Sequence, residues 1–438
     1  MHEPVPAAVG PARVLAIAGP VMLANATTPL LGVVATAVIG RLGEAHLLGG
    51  IALAAVVFDL LFWVFGFLRM GTVALTAQAL GAGDAAEQNA VLSRALLLAA
   101  AIGLVVVALQ QPLAAIVFAL MGGSDAVTAA AGDYFAARVW SAPFVFANFA
   151  VMGWLVGLAR TGWALALQIV VNAVNMAATV LFVFGLDLGV AGAGWAAVLA
   201  ESLGFALGLA ILRLRFGIVP ALAAALRRRD AFMRMIVVNR DIMIRTFALI
   251  AAFFFFTAQG ARSGDVVLAA NAVLHTLTLV AAFVLDGFAT AAEQLCGRAV
   301  GARSRAGFSR AVALVLWFSA AVAIAAAAIL AVAGSHFVSW MTASEEVRVA
   351  AADYLVYAAL FPLAGAAAYA FDGIFIGATW TASMRNLMLL ALAVFVAAWW
   401  LLLPLGNAGL WLAMLAFLAA RGALQAMRYP HLRRATFS

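Results

Sequence analysis

Long apolar runs that carry almost no charge recur along the whole of this chain. Of its 438 residues, 67% are hydrophobic and only 10% are charged, and the mean hydropathy is +1.12. Inside a bilayer such runs can satisfy their backbone hydrogen bonds only as helices, whereas a membrane barrel would show short alternating segments. We therefore expect an all-α integral membrane protein.

The apolar runs predict twelve membrane-spanning helices, six in each half of the chain. The predicted spans lie near 13–39, 47–70, 91–110, 134–158, 163–185, 190–213, 243–262, 266–291, 310–334, 351–377, 386–404 and 408–427. Two further segments, Gln111–Met121 and His336–Met341, are too short to span a bilayer. We expect them to cap the outer ends of the third and ninth helices.

The chain also repeats itself, with the second copy displaced by about 220 residues. Four anchors share this displacement to within one residue: Asp133-Tyr134 with Asp353-Tyr354, Gly81-Ala82 with Gly301-Ala302, Gly157 and Thr161 with Gly377 and Thr381, and Gly43-Glu44 with Gly264-Asp265. Such agreement across half a chain indicates duplication, and duplicated membrane units are typical of carriers. We predict two pseudo-symmetric six-helix lobes.

The longest polar stretch, Arg213 to Arg245, separates the two copies. Its part from Ala221 to Met235 is compatible with a helix on the cytoplasmic membrane surface. The predicted domains are therefore an N-terminal lobe over 1–213, a basic cytoplasmic linker over 214–242 and a C-terminal lobe over 243–438.

Arginines are distributed unevenly among the loops. The even-numbered connections and the C-terminus hold most of them, and the odd-numbered loops hold only Arg41, Arg262 and Arg348. By the positive-inside rule both termini are cytoplasmic. The formal net charge of +7 is then explained by topology, and we predict no nucleic-acid partner.

The sequence contains no catalytic or metal-binding constellation. Cys296 is the single cysteine, and the five histidines have no metal-ligand spacing. A phosphate-binding loop of the type that hydrolyses ATP is also absent. We predict neither an enzyme nor a cofactor.

Ionisable side chains at bilayer depth are costly, so each is a functional candidate. The predicted spans contain Asp59, Arg138, Glu201, Asp286, Glu293, Asp372 and Arg421. A buried carboxylate can exchange a proton or a sodium ion for a cationic substrate, and we predict Asp286, Asp59, Glu293 and Asp372 as coupling candidates, with Asp286 the best. The alternative is that Glu293 is solvated near the cytoplasmic end and that Asp286 belongs to a packing turn.

Other polar residues have two possible roles. Asn172, Asn175 and Thr179 form one stripe on the fifth helix, which is either interhelical glue or a cavity wall. Asp133 and Asp353 are expected to cap helix starts. Pro29, Pro143 and Pro362 predict bends within their helices.

Several stretches give the chain a family likeness. They are the run Pro29–Gly43, Phe65–Thr72 leading to Gln78, Arg138–Pro143, Leu285–Phe288 with Glu293, and Asp372–Thr379. With Thr257–Gly260 they reach from one end of the chain to the other. In these stretches the chain resembles the multidrug and toxic compound extrusion (MATE) family, and within it the bacterial DinF branch. The resemblance implies two six-helix lobes around a central cavity, with alternating access and export driven by inward flow of protons or sodium.

One position departs from the family pattern. Relatives of this branch usually read Val-Asp-Thr-Ala-Val-Ile-Gly in the first helix, and that acid is the expected cation-coupling residue, whereas this chain has Ala35. Thr179 stands near the place where the fifth helix often carries another acid. An alanine cannot titrate. Ion coupling is therefore lost unless an acid at another position provides it.

The sequence thus predicts a monomeric secondary exporter of small organic, cationic or amphipathic compounds. Candidate residues of the substrate cavity are Pro29, Ala35, Asn172, Asn175, Thr179, Arg138, Gln78 and Gln259. Two alternatives stay open: a flippase for lipids or lipid-linked sugars of the same superfamily, and a coupling-impaired variant or non-transporting membrane scaffold.

Overall fold

The computed structural model describes residues 9–221 and 228–438. Over these ranges the chain is helical apart from short turns. The α-helices are α1 Pro11–Gly40, α2 Ala45–Phe65, α3 Phe67–Gly81, α4 Ala85–Ala108, α5 Gln110–Met121, α6 Asp125–Arg138, α7 Ala142–Gly157, α8 Thr161–Val180, α9 Gly189–Phe216, α10 Arg229–Ala261, α11 Asp265–Gly301, α12 Arg305–Met341, α13 Glu345–Gly377, α14 Thr381–Leu401 and α15 Gly406–Thr436.

Twelve helical stretches in the described ranges are long and apolar enough to cross a membrane, which confirms the predicted number. Helices α2 and α3 together form the second stretch, and α6 and α7 form the fourth. The remaining ten each contain one long helix, while α5 is a shorter apolar helix. The predicted fold class, all-α with twelve spans, is therefore correct.

Several predicted boundaries are wrong, and polar residues are the common reason. The second and eighth spans were predicted to end at residues 70 and 291, but their helices continue to Gly81 and Gly301. The segment His336–Met341 is the end of α12 rather than a separate cap. Residues 222–227 of the predicted surface helix lie outside the described ranges, and from Arg229 onward the chain belongs to α10.

The helix starts repeat between the two halves of the chain. The Asp84 and Ser304 side chains accept hydrogen bonds from the backbone N–H groups of Glu87 and Gly307, at 2.8 and 3.2 Å. Ser124 and Ser344 likewise accept from Val127 and Val347, each at 3.4 Å. Asp133 and Asp353 lie inside α6 and α13, so their prediction as caps is wrong. In each copy the helix is capped instead by the serine nine residues earlier, Ser124 or Ser344.

The three prolines affect their helices differently. At Pro143 the fourth span is interrupted by a 3₁₀ turn over Val139–Ser141, after which α7 begins. Proline lacks the backbone N–H that would continue the α-helical ladder, and the tighter turn is one way to accommodate this loss. Helices α1 and α13 instead continue through Pro29 and Pro362.

Glycines at equivalent positions allow close packing of the helices in each copy. A Cβ on Gly153 or Gly157 of α7 would collide with the backbone oxygens of Arg69 or Val73 in α3. Gly373 and Gly377 of α13 face the backbone oxygens of Ala289 and Glu293 in α11 in the same way. Each position is displaced by 220 residues from its counterpart, so the repeat extends to the packing of the helices.

The chain divides into two compact units. The C-terminal unit contains Val237–Ser438 together with Met1–Met22 and Ala77–Gly83, and the N-terminal unit contains Leu23–Thr76 and Asp84–Ile236. In the N-terminal unit α2 packs on α6, α4 on α7, and α9 on α6 and α8. In the C-terminal unit α13 packs on α11, α12 and α15. The sequence-based boundaries at 213 and 243 stay a prediction.

Candidate functional site

The N-terminal unit contains a cluster of three charged side chains, which we call the N-terminal cluster. Asp59 lies in α2, Arg138 ends α6 and Glu201 lies in α9. Arg138 interacts electrostatically with both carboxylates. No salt bridge shorter than 4 Å joins these three groups in the described structure. The cluster contains two acids and one base, so one negative charge is left uncompensated when all three are ionised.

Aromatic rings fix the position of Arg138. Its Nη1 donates a hydrogen bond to the Tyr134 Oη at 2.6 Å. The guanidinium lies 4.7 Å from the centre of the Phe58 ring and 5.7 Å from that of Phe62. Cation–π contacts of this kind stabilise a cation without neutralising its charge. Arg138 is therefore available to interact with both acids at longer range.

Glu201 is held by Asn148 of α7. The Asn148 Nδ2 donates to Glu201 Oε2 at 2.7 Å and to the Glu201 backbone carbonyl at 3.0 Å. Asn148 is itself only 3% exposed. Gly204 lets α9 approach closely, because a Cβ there would meet Val171 and the Asn148 amide. The carboxylate thus has one fixed donor from a buried neighbour.

Asp59 has a different environment, because its side chain is exposed in the middle of an apolar span. Phe62 and Trp63 follow at i+3 and i+4, on the same helix face. Trp63 is 46% exposed. A carboxylate facing lipid is costly, whereas a carboxylate and aromatic rings lining a water-filled cavity form a surface that suits organic cations.

The predicted polar stripe on α8 connects to α1. The Asn172 Nδ2 donates to Thr27 Oγ1 at 2.8 Å, and Gln168 Nε2 donates to Asn172 Oδ1 at 2.9 Å. Thr179 Oγ1 donates to the Asn175 backbone carbonyl at 2.8 Å. Asn172 therefore acts as glue between two helices, the first of the two predicted alternatives. The role of Asn175 and Thr179 in a cavity stays a prediction.

The C-terminal unit contains a second group of charges, which we call the C-terminal cluster. Asp372 of α13 forms ion pairs with Arg245 of α10 and Arg421 of α15, the latter at 2.6 Å. Gln425 Nε2 donates to the other carboxylate oxygen at 2.8 Å. All four side chains are at most 6% exposed. Buried ions of opposite charge in direct contact, with further hydrogen bonds, form a closed structural network.

Asp286 is a further charge near Tyr369. Tyr369 interacts electrostatically with Asp286, Asp372 and both arginines, and its ring lies 5.9 Å from the Arg421 guanidinium carbon. The charges that interact with Tyr369 are therefore two acids and two bases. Glu293, on the same helix as Asp286, is 3% exposed, and its backbone lies against Gly377. The sequence-based proposal that Glu293 is solvated therefore does not hold.

The other predicted residues belong to neither cluster as defined above. Gln78 Nε2 donates to the Gly377 carbonyl at 2.9 Å and lies 3.2 Å from the Thr379 hydroxyl, so it ties the end of α3 to α13. Gln259 accepts from Arg262 at 3.5 Å near the end of α10. Pro29 is exposed and Ala35 half-buried in α1. Their assignment to the substrate cavity stays a prediction.

Sequence reasoning missed two buried charges of α10. Arg245 was counted as the end of the polar stretch that separates the two copies, although it contacts Asp372. Asp241, fully buried, accepts from Arg385 of α14 at 2.7 Å. Both were hidden because α10 begins at Arg229, before the apolar run. An apolar-span search cannot detect ionic residues that continue a helix beyond its hydrophobic part.

No group of three or more His, Cys, Asp or Glu side chains that could hold a metal ion occurs within residues 9–221 and 228–438. The predicted coupling acids are distributed over α2, α11 and α13. Asp59 and Glu201 share a base, and Asp286 and Asp372 share another network. These two clusters are the candidate sites of function.

Comparison with known proteins identifies the family. The MatE family model matches residues 20–181 and 242–401, which together make up most of the chain. The chain belongs to the MatE family. The DNA damage-inducible protein F of Escherichia coli strain K12 is 37% identical over 424 residues, covering 96% of this chain and 92% of the relative. This agrees with the predicted DinF branch of the MATE transporters.

Two further relatives extend the comparison. The probable multidrug resistance protein NorM of Caulobacter vibrioides is 28% identical over 413 residues, covering 90% of this chain and 85% of the relative. A crystal structure of MATE in the straight conformation matches with a TM-score of 0.89 at 17% identity, over 97% of this chain and 96% of that one. The protein is a multi-pass membrane transporter, and MATE family members are not enzymes.

Proposed function

We propose that this MATE protein exports small organic cations by antiport against protons or sodium ions, through alternating access. The observation that carries the proposal is the uncompensated negative charge of the N-terminal cluster beside the exposed ring of Trp63. Asp59 and Trp63 provide charge and stacking surface, the two features that bind a flat organic cation. The similarity to proteins named for multidrug resistance supports this substrate class.

The coupling acid must gain and lose a cation during each cycle. Asp372 is disfavoured for this role, because two guanidinium groups and an amide already occupy its oxygens. Asp286 and Glu293 stay candidates from the sequence. Ala35 supports neither ion, since a methyl group has no ligand to offer.

We further propose that the transporter acts as a monomer in the bacterial inner membrane, with both termini in the cytoplasm. The loop arginines support this orientation through the positive-inside rule. Labelling of single cysteines placed in Cys296→Ser protein, at position 42 or 303, distinguishes the two sides. Position 303 should react only with reagents that enter the cell.

Transport by purified protein in proteoliposomes tests the function. We expect a proton or sodium gradient to drive movement of tetraphenylphosphonium, a lipophilic cation, and Asp59→Asn to reduce its binding by about tenfold. Movement of a labelled lipid without an ion gradient would instead favour the flippase.

Ala35→Asp separates a coupled transporter from one that has lost its acid. If the present chain already couples, the added acid should change the pH dependence of transport without being required for it. No transport by the present chain and ion-driven efflux by the variant would mean that coupling was lost at this position. No transport by either would favour the scaffold.

A further inference from the structure

We propose that Glu201 of α9 is the proton-binding carboxylate of this transporter and takes over the role of the acid that is missing at Ala35. The proposal rests on the proposed antiport function and names the residue and the ion. Glu201 belongs to the same unit of the chain as Ala35. Its position in the fold, its partners and its charge balance each support the assignment.

The geometry holds the Glu201 carboxylate ready for reversible protonation. Oε2 accepts from the Asn148 amide at 2.7 Å, and the side chain is half-buried rather than sealed. A primary amide has both a donor and an acceptor. Asn148 can therefore donate to the carboxylate and, after rotation of its amide, accept from the carboxylic acid.

Among the residues that the structure describes, no base forms a salt bridge with Glu201. From α6 it faces Arg138, which is engaged with Tyr134 and lies over Phe58. From α7 it faces the neutral Asn148, and α8 has no charged residue along Thr161–Val180. A carboxylate that has no cation in contact can take up a proton without breaking an ion pair.

A proton suits this site better than a sodium ion. Sodium, a hard cation, prefers several oxygen ligands around it, whereas a proton needs a single lone pair. The Glu201 carboxylate accepts a hydrogen bond from the Asn148 amide nitrogen, and Arg138 would repel a metal ion. The geometry therefore favours H⁺ over Na⁺.

Arg138 links proton binding to release of the substrate. Because it interacts with both Glu201 and Asp59, it is shared between two negative charges. When Glu201 takes up a proton from the outer solution, its charge is lost and Arg138 neutralises Asp59 more completely. An organic cation at Asp59 is then held less tightly and leaves. Glu201 returns its proton to the cytoplasm after the lobes alternate, and the charges are restored.

Glu201→Gln tests this assignment in proteoliposomes that contain tetraphenylphosphonium. Wild-type protein should respond to an imposed pH gradient, whereas the variant should lose this response by about tenfold or more and still bind the cation. Glu201→Asp should restore proton-driven transport, with a shifted pH midpoint. Asp133→Asn, an exposed acid of α6, is the matched control and should behave as wild type.

The possible outcomes separate the proposed function from the assignment of Glu201 and from the choice of ion. If wild-type protein neither binds nor transports the cation, the proposed function is wrong. If wild-type protein is proton-driven and Glu201→Gln keeps the same response, the function stands and the assignment of Glu201 is overturned. A sodium gradient that drives the wild type without any proton gradient overturns the choice of ion.

Discussion

The N-terminal and C-terminal clusters differ in charge balance, although they lie in two copies of one duplicated unit. Glu201 and Arg421 are displaced by 220 residues, so the same position is an acid in one copy and a base in the other. Arg421 contacts Asp372 directly, whereas Glu201 has only an amide partner and a distant arginine. The C-terminal cluster thus holds its acid in direct ion pairs, whereas the N-terminal cluster has one more acid than base.

This difference indicates how one helical scaffold supports two roles. The glycines at helix contacts and the serine caps are the same in both copies, because they determine how the helices pack and start. The charged residues of the two clusters are not repeated. Duplication thus maintained the architecture, while the polar residues of each copy diverged.

The largest expected effect on stability comes from removing the acid of the C-terminal cluster. Asp372→Ala leaves two buried guanidinium groups without their counter-ion and should destabilise the protein by about 3–5 kcal/mol. Glu201→Gln should destabilise it by about 1 kcal/mol at most, since an amide can still bond to Asn148. A fluorogenic thiol dye that reacts with the buried Cys296 on unfolding reports both. Equal destabilisation by the two variants would remove the distinction between the clusters.

Substitution of the glycines at helix contacts should lower the stability by similar amounts in both copies. Gly153→Val and Gly373→Val each place a side chain against a backbone oxygen of the neighbouring helix. Overpacking of this kind costs about 1–3 kcal/mol in each variant. The melting temperature of the purified protein is the measurement, with Gly132→Ala, which faces open space, as the control. A large effect in only one copy would show that the packing is not equivalent.

The C-terminal unit contains a buried amide pair, Asn271 and Asn407. The N-terminal copy has Ile51 and Asp187 at the corresponding positions. Asn271 and Asn407 exchange hydrogen bonds at 2.8 and 2.9 Å. Asn271→Leu leaves Asn407 unpaired and should cost about 1–3 kcal/mol. Trp411 Nε1 also donates to Asn271 Oδ1, at 2.8 Å. Trp411→Phe should cost less than Asn271→Leu, since the amide pair survives. Melting temperatures in the opposite order would contradict this reading.

The smallest expected effects concern the helix caps. Ser124→Ala and Ser344→Ala each remove one hydrogen bond at a helix start. Each should lower the stability by about 1 kcal/mol. Thermal melting of the two variants and of the double variant gives the sizes and tests whether they add. Unequal losses would indicate that the two copies no longer share this cap.

Much of the fold could be predicted from the sequence, whereas the pairing of charges could not. Hydropathy is a local property, so the number of spans was correct and the ionic ends of the helices were missed. Arg245 and Asp372 are 127 residues apart, and nothing local in the sequence signals their contact. The 220-residue displacement did contain one usable signal, because it places Arg421 opposite Glu201.

The most direct test of the account is the pH dependence of tetraphenylphosphonium binding to purified protein, measured for wild type, Glu201→Gln and Asp286→Asn. If the N-terminal cluster binds the proton, the affinity of wild-type protein for tetraphenylphosphonium falls as the pH is lowered. The reason is that a protonated Glu201 lets Arg138 neutralise Asp59. Asp286→Asn should keep this dependence, and Glu201→Gln should bind equally at all pH values. A pH dependence that survives in Glu201→Gln and disappears in Asp286→Asn would contradict the account and move coupling to the C-terminal unit.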